Sequence, residues 1–252
     1  MLDLLRLRFR QGYQTSPYPK TDVAFPDHFR GRPAIDASKC EENCRACADA
    51  CPVGAISLEP LRIDLGACTF CPVCEKACPP GAVTYTHDHR LAARTRDELV
   101  IGDSEVRLAT ALDDESRRLF GRSLRLRQVS AGGCNGCEAE LVALGNVVFD
   151  LARFGIQFVA SPRHADGLVI TGPVTDNMRA ALLATYEATP SPRLVIAVGA
   201  CAISGGPFAG ARESGDGVPA GMPVDLYIPG CPPHPFTIMD GLLRLLGRME
   251  PS

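Results

Sequence analysis

The chain has 252 residues, 46% hydrophobic and 22% charged, which is enough apolar content for one large buried core or two modest ones. A formal net charge of −3, no Trp and an aromatic share of only 6% argue against nucleic acid or an anionic lipid surface as the main partner. The outlier is cysteine, with twelve residues, or three sets of four with none left over.

Residues 1–39 begin with Leu alternating with Arg from Met1 to Arg10, and Pro and Gly then punctuate the stretch from Gly12 to Pro33. No apolar run followed by small residues marks a secretory signal, and the segment reads as an extended arm that packs on a neighbour. Its Leu/Arg start also suits a membrane surface, although docking on a partner protein is the plainer reading. The longest apolar run, 194–203, is about half of a spanning helix and reads as a buried strand. The chain is therefore expected in the cytoplasm, where thiols stay reduced and a disulfide framework explains twelve Cys poorly.

Residues 40–86 hold eight of the cysteines and an internal repeat: Cys51-Pro52-Val53-Gly54-Ala55-Ile56 recurs as Cys78-Pro79-Pro80-Gly81-Ala82-Val83. Each half is too small to bury a core without its mate or a metal. Residues 87–123, rich in Arg, Asp and Glu, read as a connector with room for a short hairpin and helix. From Leu124 onward apolar strands alternate with helical periodicity: strands at 124–129, 156–160, 167–171, 193–198 and 224–228, helices near 138–153, 175–187 and 235–248. Thr175 or Asp176 is a candidate cap for the second helix, and Pro235 suits the first turn of the third. This order predicts a mostly parallel, layered α/β sheet for 124–252.

The cysteine spacing carries the chemistry. Cys68-x2-Cys71-x2-Cys74-x3-Cys78-Pro79 fits the two-cluster ferredoxin run, in which three thiolates grip one [4Fe–4S] cube and the fourth reaches the other. The first half, Cys40-x3-Cys44-x2-Cys47-x3-Cys51-Pro52, is one residue longer between its first two ligands. The crossed rule assigns Cys40, Cys44, Cys47 and Cys78 to one cluster and Cys51, Cys68, Cys71 and Cys74 to the other. Zinc is the weaker alternative, because its structural sites pair two Cys across a long gap. The third set, Cys134, Cys137, Cys201 and Cys231, is dispersed, yet each member falls just past the carboxyl end of a predicted strand and beside glycine. Open parallel sheets place their ligands there. Buried, unliganded thiols remain the alternative for Cys201 and Cys231.

Those residues have a family likeness. Ser130-Ala-Gly-Gly-Cys-Asn-Gly-Cys-Glu138, Ala160-Ser-Pro-Arg-His-Ala-Asp166, Thr171-Gly-Pro-Val-Thr175, Gly199-Ala-Cys201 and Pro229-Gly-Cys-Pro-Pro233 resemble the small subunit of group 4 [NiFe] hydrogenases. That family is homologous to the B subunit of NADH–quinone oxidoreductase (complex I). The cysteine-rich part, with Phe29-Arg-Gly-Arg-Pro33 before it, resembles the two-cluster subunit of the same complexes, here joined in one chain. Cys134-x2-Cys137 is similar to the hydrogenase side, complex I B subunits usually having adjacent Cys.

The resemblance implies a flavodoxin-like parallel sheet at the C-terminal end and a small α+β two-cluster ferredoxin-like unit before it. It implies three [4Fe–4S] clusters, no catalytic residue of its own, and a role as an electron-transfer subunit. The third cluster would lie nearest the active site of a hydrogenase-like large subunit, with membrane subunits as further partners at the cytoplasmic face. A nickel-free complex I-like assembly is the alternative. Among polar residues, Glu138 and Glu140 are candidates for a proton path or plain capping, and Arg163 and His164 for cluster tuning or a plain loop. His28, His87, His89 and His234 read as structural.

Overall fold

The computed structural model describes residues 2–41, 43–103 and 107–249. Its parallel-sheet unit contains five strands, which take numbers β6 to β10 in the whole chain. They are Leu124–Ser130 (β6), Ile156–Phe158 (β7), Gly167–Thr171 (β8), Leu194–Val198 (β9) and Leu226–Ile228 (β10). All pairings are parallel and the order across the sheet is β10-β9-β8-β6-β7. Counted within the unit this is 2-1-3-4-5, the flavodoxin-like order, with its switch point between β6 and β8. The predicted strands thus lie where expected, with β7 and β10 shorter.

Both faces of the sheet are covered, which is why β8 and β9 read as unbroken apolar runs, buried at every position. Leu194, Ile196 and Val198 share one core with Leu141 and Leu144, around helix Gly136–Ala143 (α5), and with the last helix, Pro235–Leu245 (α8). Val195 faces the other way, in a core with Leu168, Ile170 and Leu182 of helix Asp176–Ala188 (α6). Thr175 is the N-cap of α6, without a side-chain capping bond. Helix Ala200–Ser204 (α7) follows β9 directly, so the apolar run 194–203 is a strand and then a helical turn.

The cysteine-rich unit has short elements. They are strands Pro33–Ile35 (β1), Ile56–Leu58 (β2), Leu61–Asp64 (β3), Val83–Tyr85 (β4) and Val100–Ile101 (β5), with helices Ala46–Asp49 (α2) and Val73–Lys76 (α3). β1 pairs antiparallel with β4, and β2-β3-β5 form a second antiparallel sheet. Residues before Cys40 and after Tyr85 therefore belong to its framework. Its core of Leu61, Ile63, Leu65, Leu91 and Leu99 runs without a break into Ala197, Ala202 and Ile203 of the parallel-sheet unit. The connector contributes an antiparallel bridge, Ala93 to Tyr227, and helix Asp114–Phe120 (α4), capped by Asp113.

The start of the chain is helical at Leu2–Gln11 (α1), where an extended arm is expected, and no α1 side chain is buried. The following stretch does behave as an arm. Arg153 donates to the carbonyls of Ser16 (2.7 Å) and Tyr18 (2.8 Å), and buried Tyr18 donates to Asp240 of α8 at 2.7 Å. Among the described residues no helix is long and apolar enough to cross a membrane.

Candidate metal centres

The two halves of the cysteine-rich unit repeat one local design. Cys47 lies in α2 and Cys74 in α3, both buried. The residue before the second cysteine of each run is left-handed, Asn43 at φ 62° and Phe70 at φ 54°, so each loop turns sharply to aim its thiols inward. Each half then ends in a Cys-Pro turn, where Ala55 N–H donates to Cys51 Sγ and Ala82 N–H to Cys78 Sγ, both at 3.3 Å. Glu42, in the longer Cys40–Cys44 loop, lies outside the described residues; Cys44 N–H donates to the Glu41 carbonyl at 3.2 Å.

Charge coupling reveals which thiols are neighbours. Burial pushes the Cys47 thiol up, and Cys78 of the other half and Cys40 push it further. Burial drives Cys68 to about 12, against hydrogen bonds from Phe70 and Tyr85, with Cys74 and Cys51 adding to the rise. Cys74 is raised by burial and then by Cys71 and Cys51. Cys51, Cys68, Cys71 and Cys74 also line one small cavity together with Tyr85. Cys51, the last cysteine of the first run, thus stands with Cys68, Cys71 and Cys74 of the second, and the charge of Cys78 acts on Cys47. Tyr85 carries no mark of its own in the sequence. It stands where the repeat puts Leu58, and aligning the two halves exposes the difference.

The third set assembles at the sheet's carboxyl edge. Cys134 lies in the loop after β6, Cys137 in the first turn of α5, Cys201 in α7 after β9, and Cys231 just past β10. Burial pushes Cys137 to about 12, helped by Glu138, Cys201, Cys231 and Cys134. Burial and the neighbouring Cys231 and Cys134 put Cys201 at about 11. Cys134 and Cys231 are exposed, so the group opens to the surface. Gly199 has φ 87°, and a Cβ there would stand 2.5 Å from Cys137 Sγ, so only glycine leaves room for the thiol. Cys231 is an exposed residue whose thiol is nonetheless partly desolvated, which raises it, with Cys134 and then Cys71 of the second set adding to the rise. The helix of Cys201 also supplies Ala202 and Ile203 to the core that holds Cys68 and Cys74, so the third set adjoins the second.

Glu138 is buried beside Cys137, and its Oε1 accepts hydrogen bonds from Ser130 and Thr171, both at 2.6 Å. Burial alone would raise its carboxyl; those bonds outweigh burial and hold it below the ordinary value. Burial raises Glu140. Arg163 and His164 lie on a single helical turn, Pro162–His164, with no hydrogen bond or ion pair to a cysteine among the described residues. His89 and His234 sit in an aromatic cluster with Tyr18, Phe25 and Phe236.

A four-iron cluster fits these donor sets. Its ligands are thiolates, and it relieves the mutual repulsion that keeps grouped, buried thiols protonated. The backbone N–H groups on Cys51 and Cys78, and the space that Gly199 leaves open, suit a bulky anionic centre. Among the described residues no three His, Cys, Asp or Glu side chains converge closely enough for a single ion. A lone zinc would need sulfurs all about 2.3 Å from one point.

Residues 134–245 match the family described as NADH ubiquinone oxidoreductase, 20 Kd subunit, a span holding all four cysteines of the third set. The "Probable membrane-bound hydrogenase subunit mbhJ" of Pyrococcus furiosus is 40% identical over 132 residues, 52% of this chain and 79% of that protein. The chain belongs to this family. Formate hydrogenlyase subunit 7 of Escherichia coli is 46% identical over 129 residues, about half of each chain at 51% and 51%. The NADH-quinone oxidoreductase B chain of Heliobacterium modesticaldum is 43% identical over 121 residues, 48% of this chain and 69% of that one. Family members thus carry both hydrogenase and quinone-oxidoreductase names at similar identity.

Proposed function

We propose that the chain is an electron-transfer subunit of a membrane-associated, group 4 [NiFe]-hydrogenase-like complex, holding three [4Fe–4S] clusters. Cys40, Cys44, Cys47 and Cys78 would hold the first, Cys51, Cys68, Cys71 and Cys74 the second, and Cys134, Cys137, Cys201 and Cys231 the third. When bound, such clusters supply one-electron redox centres. What supports the reading is the seating of α7: it carries Cys201, its Ala202 and Ile203 share one core with Cys68 and Cys74, and its Ser204 donates to the Gly66 carbonyl at 3.0 Å.

The chain's own residues hold, orient and insulate. The buried thiols and apolar walls exclude water, and Gly199 keeps Cys137 in reach of Cys201 and Cys231. Cys134 and Cys231 are exposed at the carboxyl edge of the sheet. An exposed edge of the third group suits a large subunit that carries the reacting centre. Every cysteine is used in the three sets, so nickel and iron of an active site would belong to that partner. Its membrane subunits would put the assembly at the cytoplasmic face. The similar identity to quinone-oxidoreductase relatives supports a second reading, in which the same wire serves a nickel-free complex.

The test is the metal content of the native complex, captured anaerobically through a tag on this chain. The chain should bring about 12 iron atoms, four for each cluster. Nickel in near-equal amount to the chain identifies the hydrogenase; high iron without nickel selects the second reading. Iron for fewer than two clusters, or stoichiometric zinc without acid-labile sulfide, overturns both.

A further inference from the structure

The second cysteine set differs from its repeat-related partner in its surroundings. Cys68 and Cys74 are both buried, each 7% exposed, whereas Cys47 is the one buried member of the first set. Adding an electron to an anionic centre is harder in a drier place, so burial alone would lower the second set's reduction potential. Two side chains there act in the opposite sense.

Tyr85 is the first. Its hydroxyl donates its one proton to the Cys71 carbonyl at 2.9 Å and lies 3.7 Å from Cys74 Sγ, so a turn about the C–O bond carries that proton to a thiolate sulfur. Glu75 accepts the Tyr85 N–H at 3.0 Å and fixes the strand from which the phenol projects. The equivalent residue of the first half, Leu58, has no donor. Arg30 is the second. Its Nε donates at 2.9 Å to the carbonyl of Phe70, the left-handed residue between Cys68 and Cys71. Around the first set, Lys39 pairs with Asp36 and Arg45 with Asp49, so those charges largely cancel. Arg30 makes no ion pair among the described residues.

Both residues are held in place by the same ladder. Pro33 of β1 stands opposite Tyr85 of β4, Gly31 N–H donates to Thr86 O, and Arg32 N–H donates to Asp88 O, both at 2.8 Å. A Cβ on Gly31 would come 2.3 Å from Asp88 O, so the approach that aims Arg30 at the loop requires glycine. The Phe-Arg-Gly-Arg-Pro stretch, which no other part of the site explains, thereby acquires a role.

We propose that Arg30 and Tyr85 are a tuning pair that raises the reduction potential of the cluster held by Cys51, Cys68, Cys71 and Cys74, offsetting the desolvation its burial imposes. Hydrogen bonds and positive charge near the ligand sulfurs stabilise the reduced, more negative state. The inference rests on the three-cluster reading above.

The experiment is a redox titration followed by EPR on the full chain, prepared anaerobically, with iron and sulfide measured on every sample. Arg30→Gln and Tyr85→Phe are each expected to lower the midpoint of one cluster signal, the same one in both, while the other two stay put and iron content holds. Arg30→Lys, which keeps the charge, is expected to recover part of the shift. Unmoved midpoints, or an equal shift of all three, overturn the tuning pair while leaving the clusters standing. If Arg30→Gln loses iron, Arg30→Lys and Tyr85→Phe decide on the same criterion. Too little iron in the unaltered chain overturns the reading and the inference together.

Discussion

Gly199 is the position where one methyl group has the clearest consequence. Its left-handed backbone and the 2.5 Å approach to Cys137 Sγ leave an alanine no place to put its Cβ without moving the thiol. Gly199→Ala should therefore lose the third cluster alone, with iron falling from about 12 to about 8 atoms per chain, as acid-labile sulfide and iron assays would record. Burial sets a second prediction. Asp240 is fully buried, paired with Arg244 at 2.8 Å and hydrogen-bonded by Tyr18. Asp240→Asn leaves a buried guanidinium without its counter-charge, and thermal or denaturant unfolding should show a loss of about 3–5 kcal/mol. Tyr18→Phe, which removes one hydrogen bond to a charged group, should lose about 1.5–3 kcal/mol. The grouping of Cys68, Cys71 and Cys74 was legible from loop spacing, whereas Cys134, Cys137, Cys201 and Cys231 are far apart in the chain and could be grouped only through the strand ends they follow. Tyr18, Asp240 and Arg30 were not legible, since each acts on a partner far along the chain and nothing in a single sequence marks the pairing.

At the scale of elements, the last helix is the keystone. Every residue of α8 is buried, and His234, its cap, accepts the Phe236 N–H on Nδ1 at 3.2 Å. Burial first, and then the charge of His89, push His234 down to about 4. An unfolded imidazole titrates near 6.5. Between those values the unfolded chain binds the extra proton, so stability should fall as pH drops from about 6.5 towards 4. Melting temperatures of the unaltered chain should follow that slope, and His234→Gln should flatten it. Truncations make the complementary test. Deleting residues 2–11 removes a helix with no buried side chain and should change stability by less than about 0.5 kcal/mol. Deleting 2–31 also strips Tyr18, Phe25 and Arg30, and should lower the melting point sharply. Strands and the two longer C-terminal helices were legible because their periods differ and their lengths suffice. The run 194–203 reads as one strand because its apolar pattern is continuous; only the φ of Gly199 ends β9 and starts α7. The expected helix near 138–153 stops at Ala143, before Gly145 and the left-handed Asp150.

For the whole molecule, the arrangement that matters is the contact between the two units. Ser204 donates to the Gly66 carbonyl at 3.0 Å and Arg94 to Asp225 O at 2.7 Å, so the junction is polar as well as apolar. With α7, the helix of Cys201, packed into the core around Cys68 and Cys74, the proposed second and third clusters would lie near enough to couple magnetically when both are reduced. Broadened or split EPR signals are expected on full reduction, and Cys71→Ser should simplify them; two independent, additive spectra would argue against the juxtaposition. The connector has a further consequence. In an assembly of separate subunits, bringing Cys71 to Cys231 depends on how much of each protein is present. Here the residues between β5 and β6, 102–123, make it an intramolecular event, whose effective concentration is set by the reach of the tether. Dilution leaves the pairing intact, the ratio of the two units is fixed at translation, and neither is left to search for its mate with the face around β9 and α7 bare.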